Sequence, residues 1–318
     1  MNYRRLGDTG TKISEVGLGG WLTFGNALPK DRAAEIIDAA FDCGITFFDN
    51  ADAYARGQCE TVWGELLQDR DRSAYVLATK VFFPMGDAPT QRGLGRKHVV
   101  ESCEGSLKRL RTDHIDLYQC HRWDEETPLE ETVRAMDDLV KQGKIVYWGF
   151  SQWTAEQVKA CLELCDAEGF YRPKSSQPQY NAIQRSPEEA VFPLCHEHGI
   201  GQVCYSPLAQ GVLTGKYKPG EPTPGDSRAK DDRQNQFIKK LVDDRDLLAR
   251  VQELAPIAEE AGCTLAQLAL AWCLRREEVS SVIVGASKPK QLRENAEASG
   301  IALDDDVIER IDQALTPA

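Results

Sequence analysis

No apolar run in this 318-residue chain approaches the roughly 20 residues of a membrane span. No apolar stretch stands behind the opening MNYRRLGDTG, so no secretory signal is expected. A soluble, cytoplasmic protein is the expectation. Basic charge is short as well: the formal net charge is −12. A surface this acidic repels phosphate backbones and anionic headgroups, which argues against nucleic acid or membrane as partners. An anionic cofactor then requires a local gathering of cations. The ten cysteines include no Cys-x-x-Cys pair. Cys43, Cys103, Cys161 and Cys273 fall in helical patterns, where cysteine acts as a small buried hydrophobe, and a reduced compartment is expected. The cluster Cys195, His196 and His198 lacks metal-ligand spacing, since neighbours at i,i+1 and i,i+2 do not share a helix face. It reads as a polar helix end before Gly199, and no metal is expected. No Gly-x-Gly-x-x-Gly follows the first apolar run; VGLGGWLTFG offers only a loose set of glycines. That argues against an open dinucleotide-binding sheet.

What is present is alternation. Short β-branched or aromatic runs occur at residues 16–18, 45–49, 75–79, 115–119, 145–150, 176–179, 202–206 and 281–284. Amphipathic stretches separate them. PKDRAAEIIDAAFDCG, RKHVVESCEGSLKRL and PLEETVRAMDDLVKQG carry apolar positions at helical spacing, two of them with proline at the start and glycine at the end. Strand–helix alternation implies parallel strands with right-handed crossovers. Eight such units predict a (β/α)8 TIM barrel, α/β in class, as one domain over residues 1–318. YRRLGDTGTKIS predicts an N-terminal β-hairpin that plugs the barrel bottom, turning at Asp8-Thr9-Gly10. The segment 218–236 reads as a long loop of the kind that serves as a lid. DDDVIERIDQAL predicts a C-terminal helix.

In such a barrel, chemistry sits at the C-terminal ends of the strands. Asp49 follows ITFF, with Tyr54 in the loop after it; Lys80 follows VLAT; His121 follows DLYQC; Ser151 and Ser206 close two later runs. Each alone is bland, because a strand-end lysine is most often a surface charge and a lone histidine a satisfied hydrogen-bonding group. Together they make chemical sense. A phenol titrates near pH 10, high for a proton donor at neutral pH. A neighbouring ammonium would lower that value, a carboxylate would keep the ammonium charged, and an imidazole can bond the substrate oxygen. The set suits protonation of an oxygen that gains charge, as when a carbonyl accepts a hydride.

These residues carry a resemblance. FFDNADAY, ATK and LYQCHRWD resemble the catalytic blocks of the aldo-keto reductases. GLGRKHVVESCEGSLKRL, PLEETVRAMDDLVKQGKIVYWGFSQW, YSPLAQGVLTGKY and VIVGASKPKQLRENAEA are similar to further family blocks, in order. The chain most resembles the branch that contains the beta subunits of voltage-gated potassium channels and their bacterial relatives. The resemblance implies NADPH-dependent reduction of aldehydes and ketones, with Tyr54 as general acid, Asp49 and Lys80 tuning it, and His121 orienting the carbonyl. It implies Ser151, Gln152 and Gln177 on the nicotinamide carboxamide and Tyr205 stacked on its ring. Ser206, Leu208 and Gln210, with Lys216 and Arg228, would line the pyrophosphate path. Gly285, Ser287, Lys288, Gln291, Glu294 and Asn295 would hold the adenosine and its 2′-phosphate; there a helix N-terminus offers N–H donors and Lys288 adds charge. Gly20, Trp21, Asp49, Pro207 and Ala209 complete the cofactor set.

Trp21, Phe82, Trp123 and Trp153, with Tyr54 and His121, are the candidate substrate wall. The chain departs from the channel subunits in two places, with His121 where they carry an amide and Gln152 where they carry arginine. An arginine that many members have near Gln291 is absent, so preference for NADPH leans on Lys288, with Arg293 or Arg228. The alternatives are a low-turnover NADP(H)-binding redox-sensing subunit and a Schiff-base enzyme using Lys80, whose ion pair with Asp49 would make it a poor imine former. The branch implies homo-oligomers, tetramers or octamers.

Overall fold

A computed structural model describes residues 1–25, 28–225, 227–230 and 238–316, without the side chain of Arg228. The strands are β1 (Tyr3–Arg5), β2 (Lys12–Ser14), β3 (Val16–Gly19), β4 (Phe47–Asp49), β5 (Val76–Val81), β6 (Ile115–Cys120), β7 (Ile145–Ser151), β8 (Ser175–Gln177), β9 (Gly201–Tyr205) and β10 (Val279–Val284). β3 to β10 form a closed, all-parallel barrel in the order β10-β3-β4-β5-β6-β7-β8-β9. This is the expected (β/α)8 barrel.

The helices are α1 (Lys30–Asp42), α2 (Gln58–Leu67), α3 (Arg96–Leu110), α4 (Leu129–Lys141), α5 (Ala155–Glu168), α6 (Val191–Glu197), α7 (Lys239–Asp243), α8 (Arg245–Gln252), α9 (Leu254–Glu260), α10 (Leu265–Leu274), α11 (Pro289–Ala296) and α12 (Asp305–Leu315). None is long and apolar enough to cross a membrane among the described residues. Local chemistry explains their ends. Pro29 and Pro128 precede α1 and α4, where a missing N–H costs nothing. Thr154 and Thr264 form reciprocal caps with Gln157 and Gln267 at the starts of α5 and α10. Gly169 closes α5 in the left-handed conformation, φ 69°.

The hairpin β1–β2 plugs the bottom as expected. Leu6 and Ile13 are fully buried and pack inside the barrel against Phe47, Val76, Leu117 and Val203. Arg4 ties the hairpin to the barrel wall, donating to the carbonyls of Leu274, Arg276 and Val279 and pairing with Glu15 at 2.7 Å. A cavity of about 600 Å³ lies near this end, beside Tyr3, Lys12, Arg72 and His114, far from the strand ends where chemistry collects. The expected loop 218–236 falls partly outside the described residues; what is described includes a 3-10 turn at Arg228–Lys230. In the Cys195-His196-Glu197-His198 stretch, Cys195 is buried and His198 caps α6. No metal-holding group of side chains occurs among the described residues.

Alternation along the strands sorts side chains between the barrel interior and the helix layer. In β4, Phe47 joins the interior cluster, while Phe48 packs outward against Phe41 and Trp63 at ring separations of 5.2 and 5.7 Å. Asp49 therefore returns to the interior at the rim. α2 and α3 cross so closely that a Cβ at Gly64 would lie 2.2 Å from the Arg109 carbonyl oxygen. Gly64→Ala is expected to destabilise the fold by about 1–3 kcal/mol, read as a lowered denaturant midpoint.

Candidate active site

Register brings the strand-end groups together. Asp49 pairs with Ala78 across β4–β5, and Lys80 with Gln119 across β5–β6. The Lys80 ammonium, fully buried, reaches back to donate to Asp49 Oδ2 at 2.6 Å, to the Asn50 carbonyl at 2.6 Å and to Tyr54 Oη at 3.3 Å. Three donors meet three acceptors, so the charged form fits the site. Burial pulls Lys80 below its ordinary pKa, and the Asp49 carboxylate opposes that pull. Gln177 Nε2 donates to the other Asp49 oxygen at 2.8 Å, and Ser151 Oγ donates to the Gln177 carbonyl at 2.8 Å.

Tyr54 opens a short turn in which Ala55 and Arg56 both take φ 51°, followed by Gly57 at φ 84°. Left-handed backbone at a non-glycine residue costs about 1 kcal/mol or more each, so the loop is held there by its surroundings. The His121 ring lies edge-on to the Tyr54 ring at 5.7 Å and to Phe83 at 4.9 Å. Its Nδ1 is buried with no partner.

The electrostatics correct one expectation. Burial drives the Tyr54 phenol well above its ordinary value, and the Asp49 charge adds to the rise. Burial outweighs the lowering expected from the ammonium, since Lys80 is held closer to Asp49 and Asn50 than to the phenol. His121 is pushed well below its usual value by burial and then by the Lys80 and Arg122 charges. At neutral pH the site thus presents a protonated phenol and a neutral imidazole.

These groups stand at one end of a cleft of about 950 Å³. Of the expected cofactor residues, Trp21, Asp49, Ser151, Gln177, Tyr205, Ser206, Pro207, Leu208, Gln210, Lys216, Gly285, Ser287, Gln291, Glu294 and Asn295 line it. Gly20, Gln152, Ala209 and Lys288 stand behind or beside that lining. Gly20 backs onto Cys59, whose Sγ would meet a Cβ there at 2.5 Å. Gln152, at φ 60°, donates from its amide to Tyr205 Oη at 2.5 Å. Ala209 is buried, and Lys288 holds the N-cap position of α11. The side chain of Arg228 lies outside the described residues. Arg293 pairs with Asp42 at 3.0 Å on the exposed surface and does not line the cleft.

Of the candidate substrate wall, Trp21, Tyr54 and His121 line the cleft, whereas Phe82, Trp123 and Trp153 do not. Trp153 is buried and stacked on Phe150 at 4.8 Å, with Trp123 edge-on against it. Phe83 lines the cleft in place of Phe82, because β5 ends at Val81 and the in–out alternation stops there. Sequence reasoning also passed over Arg122, which lines the cleft directly after His121; its signal was the basic residue inside LYQCHRWD.

The model of the Aldo/keto reductase family matches residues 15–316. The chain belongs to the aldo/keto reductase family. An aldo/keto reductase is an oxidoreductase by family. The chain is 44% identical to the "Probable voltage-gated potassium channel subunit beta" of Arabidopsis thaliana, covering 99% of this chain and 97% of the relative. It is 43% identical to the protein of the same name from Oryza sativa subsp. japonica, covering 98% and 96%.

Behind the Tyr54 loop of this aldo/keto reductase lies a buried polar network. Asp52 accepts from Ser102 Oγ at 2.8 Å, and Glu60 accepts from Thr79 Oγ1 at 2.5 Å and from Arg109 Nε at 2.7 Å. Burial first, and the Glu60 charge second, push the Asp52 carboxyl up to about 7, against the pull of the Ser102 hydrogen bond. An unfolded aspartate titrates at about 4, so the folded chain holds the proton more tightly. The stability this supplies is complete below about pH 4 and lost as pH rises through about 7. Asp52→Asn, which cannot ionise, is expected to gain thermal stability relative to the parent as pH goes from about 5 to about 8, by a margin on the order of a few kcal/mol. Melting curves at both pH values check the sign.

Proposed function

We propose that this aldo/keto reductase reduces aldehydes and ketones to alcohols with NADPH. The observation that carries the reading is the chain of contacts Asp49–Lys80–Tyr54, with its phenol protonated, beside a neutral His121 at the end of a long cleft. The donor set fits a dinucleotide along that cleft. Near Tyr54, Ser151 and Gln177 offer a hydroxyl and an amide matched to a carboxamide. Further along, the backbone at Ser206, Ala209, Gln210 and Gly211 runs through left-handed conformations beside Lys216. At the far end, α11 presents its N-terminus with no side chain capping it. A helix start, a serine and a lysine suit a phosphate.

NADPH, when bound, supplies a hydride to the carbonyl carbon. Tyr54 gives its hydroxyl proton to the carbonyl oxygen as that oxygen gains charge. Lys80 stabilises the phenolate left behind and can return a proton to it across the 3.3 Å contact. Asp49 keeps the ammonium charged and fixed in place. His121, being neutral, offers its single N–H to the carbonyl oxygen without adding charge to the pocket. Tyr205 and Trp21 line the cleft as aromatic faces for flat groups.

A second reading has its own support in the names of the two plant relatives: an NADP(H)-binding subunit that turns over slowly and regulates a partner. Purified protein is expected to oxidise NADPH continuously with 4-nitrobenzaldehyde. Tyr54→Phe should lower kcat about a hundredfold or more, while NADPH binding followed by protein fluorescence is retained. A single turnover without a steady state would favour the regulatory reading, and normal turnover by the Phe variant would remove Tyr54 as the acid.

A further inference from the structure

Arg122 has no role in the chemistry described so far, yet it lines the reacting end of the cleft. Its Nη1 donates to the His121 carbonyl at 2.5 Å and sits 3.5 Å from Ser151 Oγ. Those contacts anchor one corner of the guanidinium. The guanidinium carbon lies over the Phe83 ring, 5.5 Å from its centroid. The Nε–Nη2 edge, the side of the fork that takes a carboxylate with two parallel hydrogen bonds, has no acceptor among the described residues.

Nor does any carboxylate among the described residues pair with Arg122. Several other partly buried arginines in this acidic chain are matched, Arg72 with Asp116, Arg109 with Glu60 and Arg275 with Glu188, though Arg250 on α8 pairs with no carboxylate among the described residues. A half-buried cation without a counter-ion is costly to keep. Of the two acids that line the cleft, Asp49 is spent on Lys80 and Gln177. Glu294 stands at the other end, on α11. The reacting end is therefore a positive pocket in a protein of net charge −12.

We infer that Arg122 seats an anionic group of the substrate, and that the cleft takes carbonyl compounds carrying a carboxylate close to the reacting carbonyl. The inference rests on the carbonyl-reduction reading for its chemistry, but the anion seat itself does not need turnover. Arg122 is a specificity-determining residue on this view: it selects and orients the substrate and leaves the proton to Tyr54. The Phe83 ring beside it supplies an apolar shelf for the substrate body.

The test uses matched pairs in which only charge differs: 2-, 3- and 4-carboxybenzaldehyde, each against its methyl ester, with the parent and with Arg122→Gln. For the isomer that fits, the parent is expected to favour the acid over the ester in kcat/KM. In Arg122→Gln the acid-to-ester ratio should fall about tenfold or more, as expected for loss of a charge-assisted hydrogen bond. In parallel, benzoate and benzamide are titrated calorimetrically into both proteins with NADP present. Benzoate should bind the parent more tightly than benzamide does, and Arg122→Gln should erase that difference. If no aldehyde is reduced but benzoate binds through Arg122, the carbonyl-reduction reading fails and the anion seat stands. An unchanged acid-to-ester ratio in the variant, with benzoate binding also unchanged, overturns the inference. So does weakened NADPH binding with the ratio intact, which would make Arg122 part of the cofactor seat.

Discussion

A buried ammonium sets the terms for the upper end of this barrel. Lys80 is wholly shielded from water, and each of its three donors must find an acceptor inside the protein. One is the Asp49 carboxylate, one the Asn50 carbonyl, one the Tyr54 hydroxyl. Removing any partner leaves charge in a poorly solvating place, which is far costlier than the pair is beneficial. The residues after β4 are accordingly not free to wander. They turn so that a backbone carbonyl and a phenol both face the ammonium, and the left-handed backbone at Ala55 and Arg56 follows from that turn. Gln177, two strands beyond β6, completes the arrangement by holding the second Asp49 oxygen.

The same burial that makes the ion pair tight keeps the phenol protonated and the imidazole neutral. The pocket thus joins a strong internal field to a phenol and an imidazole that themselves carry no charge. Its cations, Lys80 and Arg122, differ in one respect: Lys80 is fully enclosed, Arg122 half so. Around them the protein is acidic overall, with a net charge of −12, which on balance makes its surface repulsive to polyanions.

Much of the fold was legible because strand alternation and helix punctuation are local signals. The eight barrel strands, the plug at the bottom and helices α1, α3 and α4 all follow from short runs and their flanking Pro and Gly. Asp49, Lys80 and His121 were legible because each follows an apolar run directly, and barrels put chemistry there. The misreadings share a cause. Phe82 and Phe83 are chemically alike, and only the end of β5 at Val81 decides which faces the cleft. Trp123 and Trp153 looked like pocket aromatics, but they pack on each other and on Phe150 beneath the loops. The direction of the Tyr54 shift was missed because a sequence shows neighbours in charge and not the degree of burial. The contact of Arg293 with Asp42 was unreadable for a similar reason, since Asp42 comes from a helix some 250 residues earlier in the chain.

The three residues of β4 show how narrowly position governs this molecule. Phe47 and Phe48 are identical in kind, yet one fills the barrel and the other faces the helices, and Asp49 inherits its place from the count alone. Inserting or deleting a single residue between Ile45 and Asp49 would exchange every face. The carboxylate would then be thrust among Phe41, Trp63 and Tyr75, and an aromatic ring would stand where the ammonium needs an oxygen. Chain length is therefore free to vary in the loops and frozen in the strands, whose parity is as much a part of the site as the side chains they carry.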